Sequence, residues 1–357
     1  MYRSQSAGKT VIHTYTVSRD DTLYEAFPDV ALTRSGKMIC VFAECIHHAD
    51  RSYTRIMLTE SNDRGRTWAP KRPLTDPTRG YPFWNCPRIA TLRDGRIAVV
   101  VDKLFSPEKS AAPDRCRNYL FFSEDEGRTW SDPVETPALG IVPDKLLELT
   151  DGRWILACHY RDCELGNLVQ RLWYSDNQGM SWDGPVVVAS QAGLNLCEVS
   201  ILPVGDTLVA FHRENSGQGW DCYKTISTDR GQHWGKPIPF PLPACHRPVA
   251  GHLQSGEILI TYRFMQGGKG WTGWWTQNLF AALTDDESAL APTRGEAHTR
   301  IRPIDFDRSP ASDTGYSGWV QFEDGEIYIV NYIMDDAPKA QIRGYSLRMS
   351  DFILEKA

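Results

Sequence analysis

Six apolar segments along the chain are each broken by a tight polar turn: LTRSGKMICVF, LRDGRIAVVV, LTDGRWILAC, LPVGDTLVAF, LQSGEILITY and FEDGEIYIVN, with turn glycines at Gly36, Gly95, Gly152, Gly205, Gly256 and Gly325. A glycine free to take positive φ between two apolar runs is a β-hairpin signal. Runs such as IAVVV are apolar at successive positions, which predicts strands packed between neighbouring sheets and buried on both faces. The chain therefore reads as six units of about 50 to 70 residues, each opening with two inner strands.

A second repeat is interleaved with the first. The phrase Ser-x-Asp-x-Gly-x-Thr-Trp appears as SNDRGRTW at Ser61 to Trp68 and SEDEGRTW at Ser123 to Trp130, and in altered form as SDNQGMSW at Ser175 to Trp182 and STDRGQHW at Ser227 to Trp234. The copies are spaced by 62, 52 and 52 residues, and LTDDES around Asp285 and MSDF around Asp351 read as two further copies without the Gly and Trp. A short Asp accepting backbone N–H bonds, a Gly at positive φ and a packed Trp make a self-capping turn between outer strands, so Asp63, Asp125 and Asp229 are read as scaffold. Six four-stranded sheets around an axis predict an all-β, six-bladed β-propeller over residues 1–357, with the N-terminal VIHTYTV (residues 11–17) closing the last blade. Two β-sandwiches would be the alternative, but six copies at blade spacing do not divide into a pair.

Composition narrows the function. The 39 Lys and Arg are scattered and outnumbered by 45 Asp and Glu, which argues against a nucleic-acid partner, since phosphate binding needs a concentrated basic face. No stretch approaches 18 consecutive apolar residues, and MYRSQSAGKTVIHTYTV has no apolar signal core or cleavage site. The expectation is a cytoplasmic chain without a membrane segment, or an exported one if a leader has been trimmed. The nine cysteines include no pair separated by only two residues, so reduced thiols are expected rather than a zinc site. No metal or other cofactor is expected.

In a propeller, residues entering the first strand of each blade and leaving the second converge on one end of the axial channel. The entering set includes Asp29, Arg88, Asp144, Glu198, Arg247 and Tyr316, and the leaving set Glu44, Lys103, His159, Arg213, Arg263 and Tyr332. Nearly all are ionisable or phenolic, which predicts a polar pocket at that mouth.

The four phrases on a six-unit propeller resemble the sialidase (neuraminidase) superfamily, whose repeats are called Asp boxes, and the resemblance covers essentially the whole chain. It implies a Tyr nucleophile on the last blade, matched by Tyr316 in GYSGWVQFEDG. It implies a partner Glu followed by an Arg, matched by Glu198 and Arg213 in CEVSILPVGDTLVAFHR, and an acid/base Asp eleven residues before the first box, matched by Asp50. A phenol, with an ordinary pKa near 10, needs a neighbouring carboxylate to take its proton. A neutral nucleophile suits an anomeric carbon that bears a carboxylate, as in 2-keto sugar acids.

The chain departs from the family in its arginine clamp. Where the first clamp arginine stands in a Phe-Arg-Ile-Pro phrase, this chain reads AFPDVAL, and where the third is expected, WWTQNLF offers Gln277. Arg213 is retained, and Arg88, Arg247 and Arg263 are candidates for a different carboxylate clamp. His48 and His159 are further candidates for substrate contact, His48 also as a base, and Trp274 in GGKGWTGWW for stacking on a sugar ring. The expected function is an exo-acting, retaining, sialidase-like glycoside hydrolase that cleaves a terminal acidic sugar from a glycan. The alternatives are a polysaccharide lyase acting on uronic-acid glycans and a glycan-binding propeller without turnover.

Overall fold

The computed structural model describes residues 12–108, 113–266 and 276–352. They form six antiparallel sheets of four strands, the six-bladed propeller expected from the repeats. Blade 1 runs outward from the axis through Tyr24–Leu32, Met38–His47, Asp50–Ser61 and Arg72–Pro73. The inner strands of blades 2 to 5 are Phe83–Thr91, Leu147–Glu148, Leu196–Val204 and Cys245–His252. Blade 6 runs Thr314–Gln321, Ile327–Ile333 and Gln341–Leu347, and takes His13–Ser18 as its outermost strand. His13 lies opposite Ser346 in that pairing.

The unbroken apolar runs do what their pattern implies. Ile97 to Val101 are all buried. Ile97, Val99 and Val101 face the core shared with Ile39 and Val41 of blade 1, while Ala98 and Val100 face Trp154 and Leu156 of blade 3. Period-two alternation thus sends one strand's side chains into two inter-blade cores. The glycine turns join the first and second strands of each blade, at the end of the ring away from the strand starts that were expected to hold the site.

The four boxes join third to fourth strands. In blade 1, Ser61 donates to Asp63 at 2.9 Å and accepts the Gly65 amide at 2.8 Å, Asp63 takes the Thr67 amide at 2.9 Å and its hydroxyl at 2.6 Å, and Trp68 Nε1 donates to the Gly65 carbonyl. Blade 3 rebuilds the turn with Asn177 bonded to Ser181, and blade 4 with Asp229 bonded to His233. The turns also fasten blades to each other: Tyr328 of blade 6 donates to the Gly65 carbonyl at 2.7 Å and accepts from Trp68 at 3.3 Å. The two segments read as eroded boxes are instead short helices, Asp286–Leu290 capped by Asp285 and the 3-10 turn Met349–Phe352. All nine cysteines are free, and only Cys163 is exposed. Among the described residues no helix is long and apolar enough to cross a membrane.

At the axis, five inner strands break register at the same height: between Ala26 and Asp29, Trp84 and Pro87, Cys197 and Ser200, His246 and Val249, and Thr314 and Ser317. At four of these bulges one residue is left-handed: Phe27 (φ 57°), Glu198 (47°), Arg247 (51°) and Gly315 (99°). Such bulges bend a strand and re-aim its side chains. Side chains from second strands accept the amides freed at three of them: Asp102 takes Cys86 N at 2.6 Å, Asn331 takes Gly315 N at 2.8 Å and His159 Nδ1 takes Glu198 N at 3.3 Å.

Because Tyr328 is buried and ties blade 6 to the first box, its hydroxyl contributes to ring closure. Tyr328→Phe is expected to lower unfolding free energy in urea by about 1 kcal/mol, and Tyr328→Ala by about 3–5 kcal/mol. Equal, negligible losses for both variants would show that the box does not hold the ring.

Candidate active site

A cavity of about 620 Å³ opens at the end of the ring where the inner strands begin. Glu198, Arg213, Arg263, Tyr316 and His48 line it, together with Asp313, Arg51, Asn85 and Gln277, against an apolar wall that includes Phe27, Val142, Met265 and Met334. The volume is in the usual range for small-molecule sites, roughly 300–1,000 Å³.

Its centre is a chain of three largely buried side chains drawn from two blades. The Tyr316 phenol donates to Glu198 Oε1, and Arg213 Nη1 donates to the same oxygen at 2.6 Å. Oε2 of Glu198 is buried without a hydrogen-bond partner among the described residues. Burial alone would raise the Glu198 pKa, but the charges of Arg213 and Arg263 outweigh it and hold the carboxyl at about 2. Burial, reinforced by the Glu198 charge, drives the Tyr316 phenol well above its ordinary value. The resting state is therefore a neutral phenol on an ionised carboxylate, from which the proton can pass to Glu198 only as the phenol oxygen acquires a new bond.

The bulges make this contact possible. Glu198 is itself a left-handed bulge residue, and His159 holds its amide. Gly315 sits so close to Arg263 that a Cβ there would fall 2.4 Å from the arginine's Cβ, so glycine is required beside Tyr316. The Arg263 guanidinium carbon lies 4.8 Å from the centroid of the Tyr316 ring, and its Nη1 donates to Gln277 at 3.1 Å.

A second cluster centres on Asp313, three residues before Tyr316. It accepts from Tyr24, from Tyr332 at 2.7 Å and from His48 Nδ1 at 2.5 Å, with Arg263 3.8 Å away. Burial opposes its ionisation, but His48 and Arg263 hold it at about 2.

The structure separates the other sequence candidates. Arg213, Arg263 and His48 line the cavity. Arg88 and Arg247 do not, which corrects their reading as clamp residues. Both are buried: Arg88 bonds to the Ser317 carbonyl at 3.0 Å with Asp29 at 3.4 Å, and Arg247 bonds to the carbonyls of Val199 and Pro143. They tie blades together across the axis, Arg88 of blade 2 reaching blade 6, and Arg247 of blade 5 reaching blade 4 and the segment before blade 3. His159 is likewise buried outside the lining, and burial lowers its pKa to about 4, so it serves as a neutral acceptor for the Glu198 amide. Asp50 also departs from expectation. It is exposed at a hairpin tip outside the lining, and hydrogen bonds from Ser52 lower its pKa, the opposite of what an acid requires. Trp274 lies outside the described residues. Asp313, Arg51 and Asn85 were not anticipated; the only local signal was for Asp313, in SDTGY on the approach to Tyr316. Among the described residues no group of three or more His, Cys, Asp or Glu side chains is placed to hold a metal.

The family model described as "BNR repeat-like domain" matches residues 79–329, and the chain belongs to that family. Among solved structures it is similar to a Dyadobacter fermentans protein of unknown function, at 19% identity and TM-score 0.77, covering 94% of this chain and 99% of that one. It is also similar to the Hadza microbial sialidase Hz136, at 17% identity and TM-score 0.71, covering 95% and 69% of the two chains. A sialidase of Trypanosoma rangeli in complex with sialic acid gives 13% identity and TM-score 0.66, with 95% of this chain matched to 59% of that one. At these identities the likeness carries the fold and not the activity. No curated protein sequence matches the chain significantly.

Two carboxylates held below their ordinary values contribute stability above an unfolded pKa near 4, and this is lost as pH falls through about 2. The thermal midpoint is expected to fall between pH 4 and pH 2. Glu198→Gln and Asp313→Asn should each flatten that fall, by an amount on the order of 2 kcal/mol. An unchanged slope in both variants would contradict these charge assignments.

Proposed function

We propose that the protein is a retaining exo-glycosidase of sialidase-like type acting on a terminal acidic sugar of a glycan. The observation that carries this reading is the buried Tyr316–Glu198 hydrogen bond facing a cavity flanked by guanidinium groups. As the anomeric carbon approaches, Tyr316 Oη forms a bond to it while Glu198 takes the phenol proton and the glycosidic oxygen departs. Water then attacks the same carbon and gives up a proton that balances the one the departing oxygen takes, the Tyr–sugar bond breaks, and Glu198 returns its proton to the phenolate. Two inversions at one carbon give net retention.

An acidic sugar is favoured by charge. Arg51, Arg213 and Arg263 all line the cavity, and Glu198 and Asp313 engage only part of their donor capacity. Buried N–H groups, Nη1 of Arg51 and Nε of Arg213 and Arg263, have no partner among the described residues. A substrate carboxylate would satisfy such donors, whereas a neutral sugar would leave them unpaired. The lyase alternative draws on the presence of a histidine, a tyrosine and arginines in the same cavity. It differs in its product, an unsaturated sugar that absorbs in the ultraviolet.

The test is a panel of 4-methylumbelliferyl glycosides of N-acetylneuraminic acid, other 2-keto sugar acids, glucuronic acid and neutral hexoses. One acidic member is expected to be hydrolysed with retention, Tyr316→Phe to abolish turnover, and Glu198→Gln to lower kcat by about 10²–10⁴-fold. Arg263→Met should raise KM for that substrate by about 10-fold or more, the loss of a hydrogen bond to a charged group. Hydrolysis that survives in Tyr316→Phe, or an ultraviolet-absorbing product, would overturn the reading.

A further inference from the structure

The glycosidase reading leaves the departing oxygen in need of a proton, and the exposed Asp50 is outside the cavity lining. A different group is built for that task. The segment before the inner strand of blade 6 is locked by Asp307, whose carboxylate accepts the amides of Ser309, Asp313 and Asp335, each at 2.9 Å. This fixes Asp313, which is kept ionised by its neighbours and takes Nδ1 of His48 at 2.5 Å. The His48 ring stands edge-on to Phe27 at 5.3 Å and beside Tyr24 at 6.5 Å, so its orientation is fixed by packing as well as by the carboxylate. Its other nitrogen, Nε2, makes no hydrogen bond among the described residues, and the imidazole lines the cavity. The Phe27 ring is also 5.3 Å from the Tyr316 ring, so one left-handed residue packs against both the histidine and the phenol. A histidine at a cavity wall, with one nitrogen on a largely buried carboxylate and the other unbonded among the described residues, has the geometry of an acid–base group.

We propose that His48, oriented by Asp313, is the catalytic acid and base of this site in the position that Asp50 was expected to fill, an inference that rests on the glycosidase reading. His48 Nε2–H gives its proton to the glycosidic oxygen as that bond breaks and the Tyr316–sugar bond forms. The neutral Nε2 then takes a proton from the attacking water, so the imidazolium is restored and the sugar leaves with a new hydroxyl. Asp313 gains and loses no proton in the cycle. It is a positioning residue that holds the tautomer.

The test compares kcat/KM for two glycosides of the acidic sugar that the enzyme hydrolyses, one with a methyl aglycone and one with a 2,4-dinitrophenyl aglycone, which departs without protonation. His48→Gln is expected to lose about 10²–10⁴-fold on the methyl glycoside and less than about 10-fold on the dinitrophenyl glycoside. Asp313→Asn should show the same selectivity in weaker form, with thermal melting confirming that each variant is folded. Equal losses on both aglycones in His48→Gln, or selective loss in Asp50→Asn instead, would overturn the role of His48 while leaving Tyr316 as nucleophile. A parent enzyme that cleaves neither glycoside, or a fully active Tyr316→Phe, would overturn the glycosidase reading and this inference with it.

Discussion

Each blade of this protein is apolar on both faces, so no sheet can cover itself and each is buried only by its neighbours. Val99 and Val100, adjacent on one strand, pack into different inter-blade cores. The ring must therefore close, and the strand His13–Ser18 completes the last blade by pairing with Gln341–Leu347. Closure crowds six inner strands around one axis, where polar side chains have little access to water. Several of those found there are held by a partner: Arg88 by Asp29 and a carbonyl, Asp144 by the Ile201 amide at 2.9 Å, Ser200 by the Ala250 amide at 3.0 Å.

The same crowding shapes the site. Bulges at one height let the inner strands turn side chains toward the mouth, and the left-handed residues at those bulges include Glu198 itself and the glycine next to Tyr316. Strain of this kind persists only where surrounding structure enforces it, and here Asn331 and His159 supply the bonds that do so. The outcome is a cavity with two hydrogen-bonded groups, Tyr316–Glu198–Arg213 and His48–Asp313–Tyr332, linked through Arg263, which stands over the Tyr316 ring and near Asp313. Positive charge surrounds a protonated phenol, an arrangement suited to a nucleophile that becomes more acidic as it reacts and to a substrate that carries a carboxylate.

What could be read from sequence follows from how local each feature is. The boxes and glycine turns are specified within eight or so residues, and the blade count follows from counting them. Tyr316, Glu198 and Arg213 were legible because each keeps a fixed offset from such a turn. Arg88 and Arg247 occupy the same columns, but an offset does not report the direction a bulge imparts, and their side chains enter the packed axis instead of the cavity. Asp50 has the expected spacing from the first box, yet it falls at a hairpin tip where its neighbour His48 enters the cavity instead. Asp313, Arg51 and Asn85 lie on segments from three different blades, and only the closed ring brings them together. The eroded box at Asp285 was misread because an Asp that caps a turn and an Asp that caps a short helix use the same side-chain bond.

The covalent step is the centre of the proposed chemistry and can be observed directly. A 2,3-difluoro analogue of the hydrolysed sugar acid carries a good leaving group beside a fluorine that slows breakdown of the intermediate. Incubation followed by peptide mass mapping should show one adduct per chain, on the peptide bearing Tyr316, with fragment ions placing the mass on the tyrosine. An adduct on another residue, or full turnover of the analogue's parent substrate with no adduct formed, would contradict Tyr316 as the nucleophile.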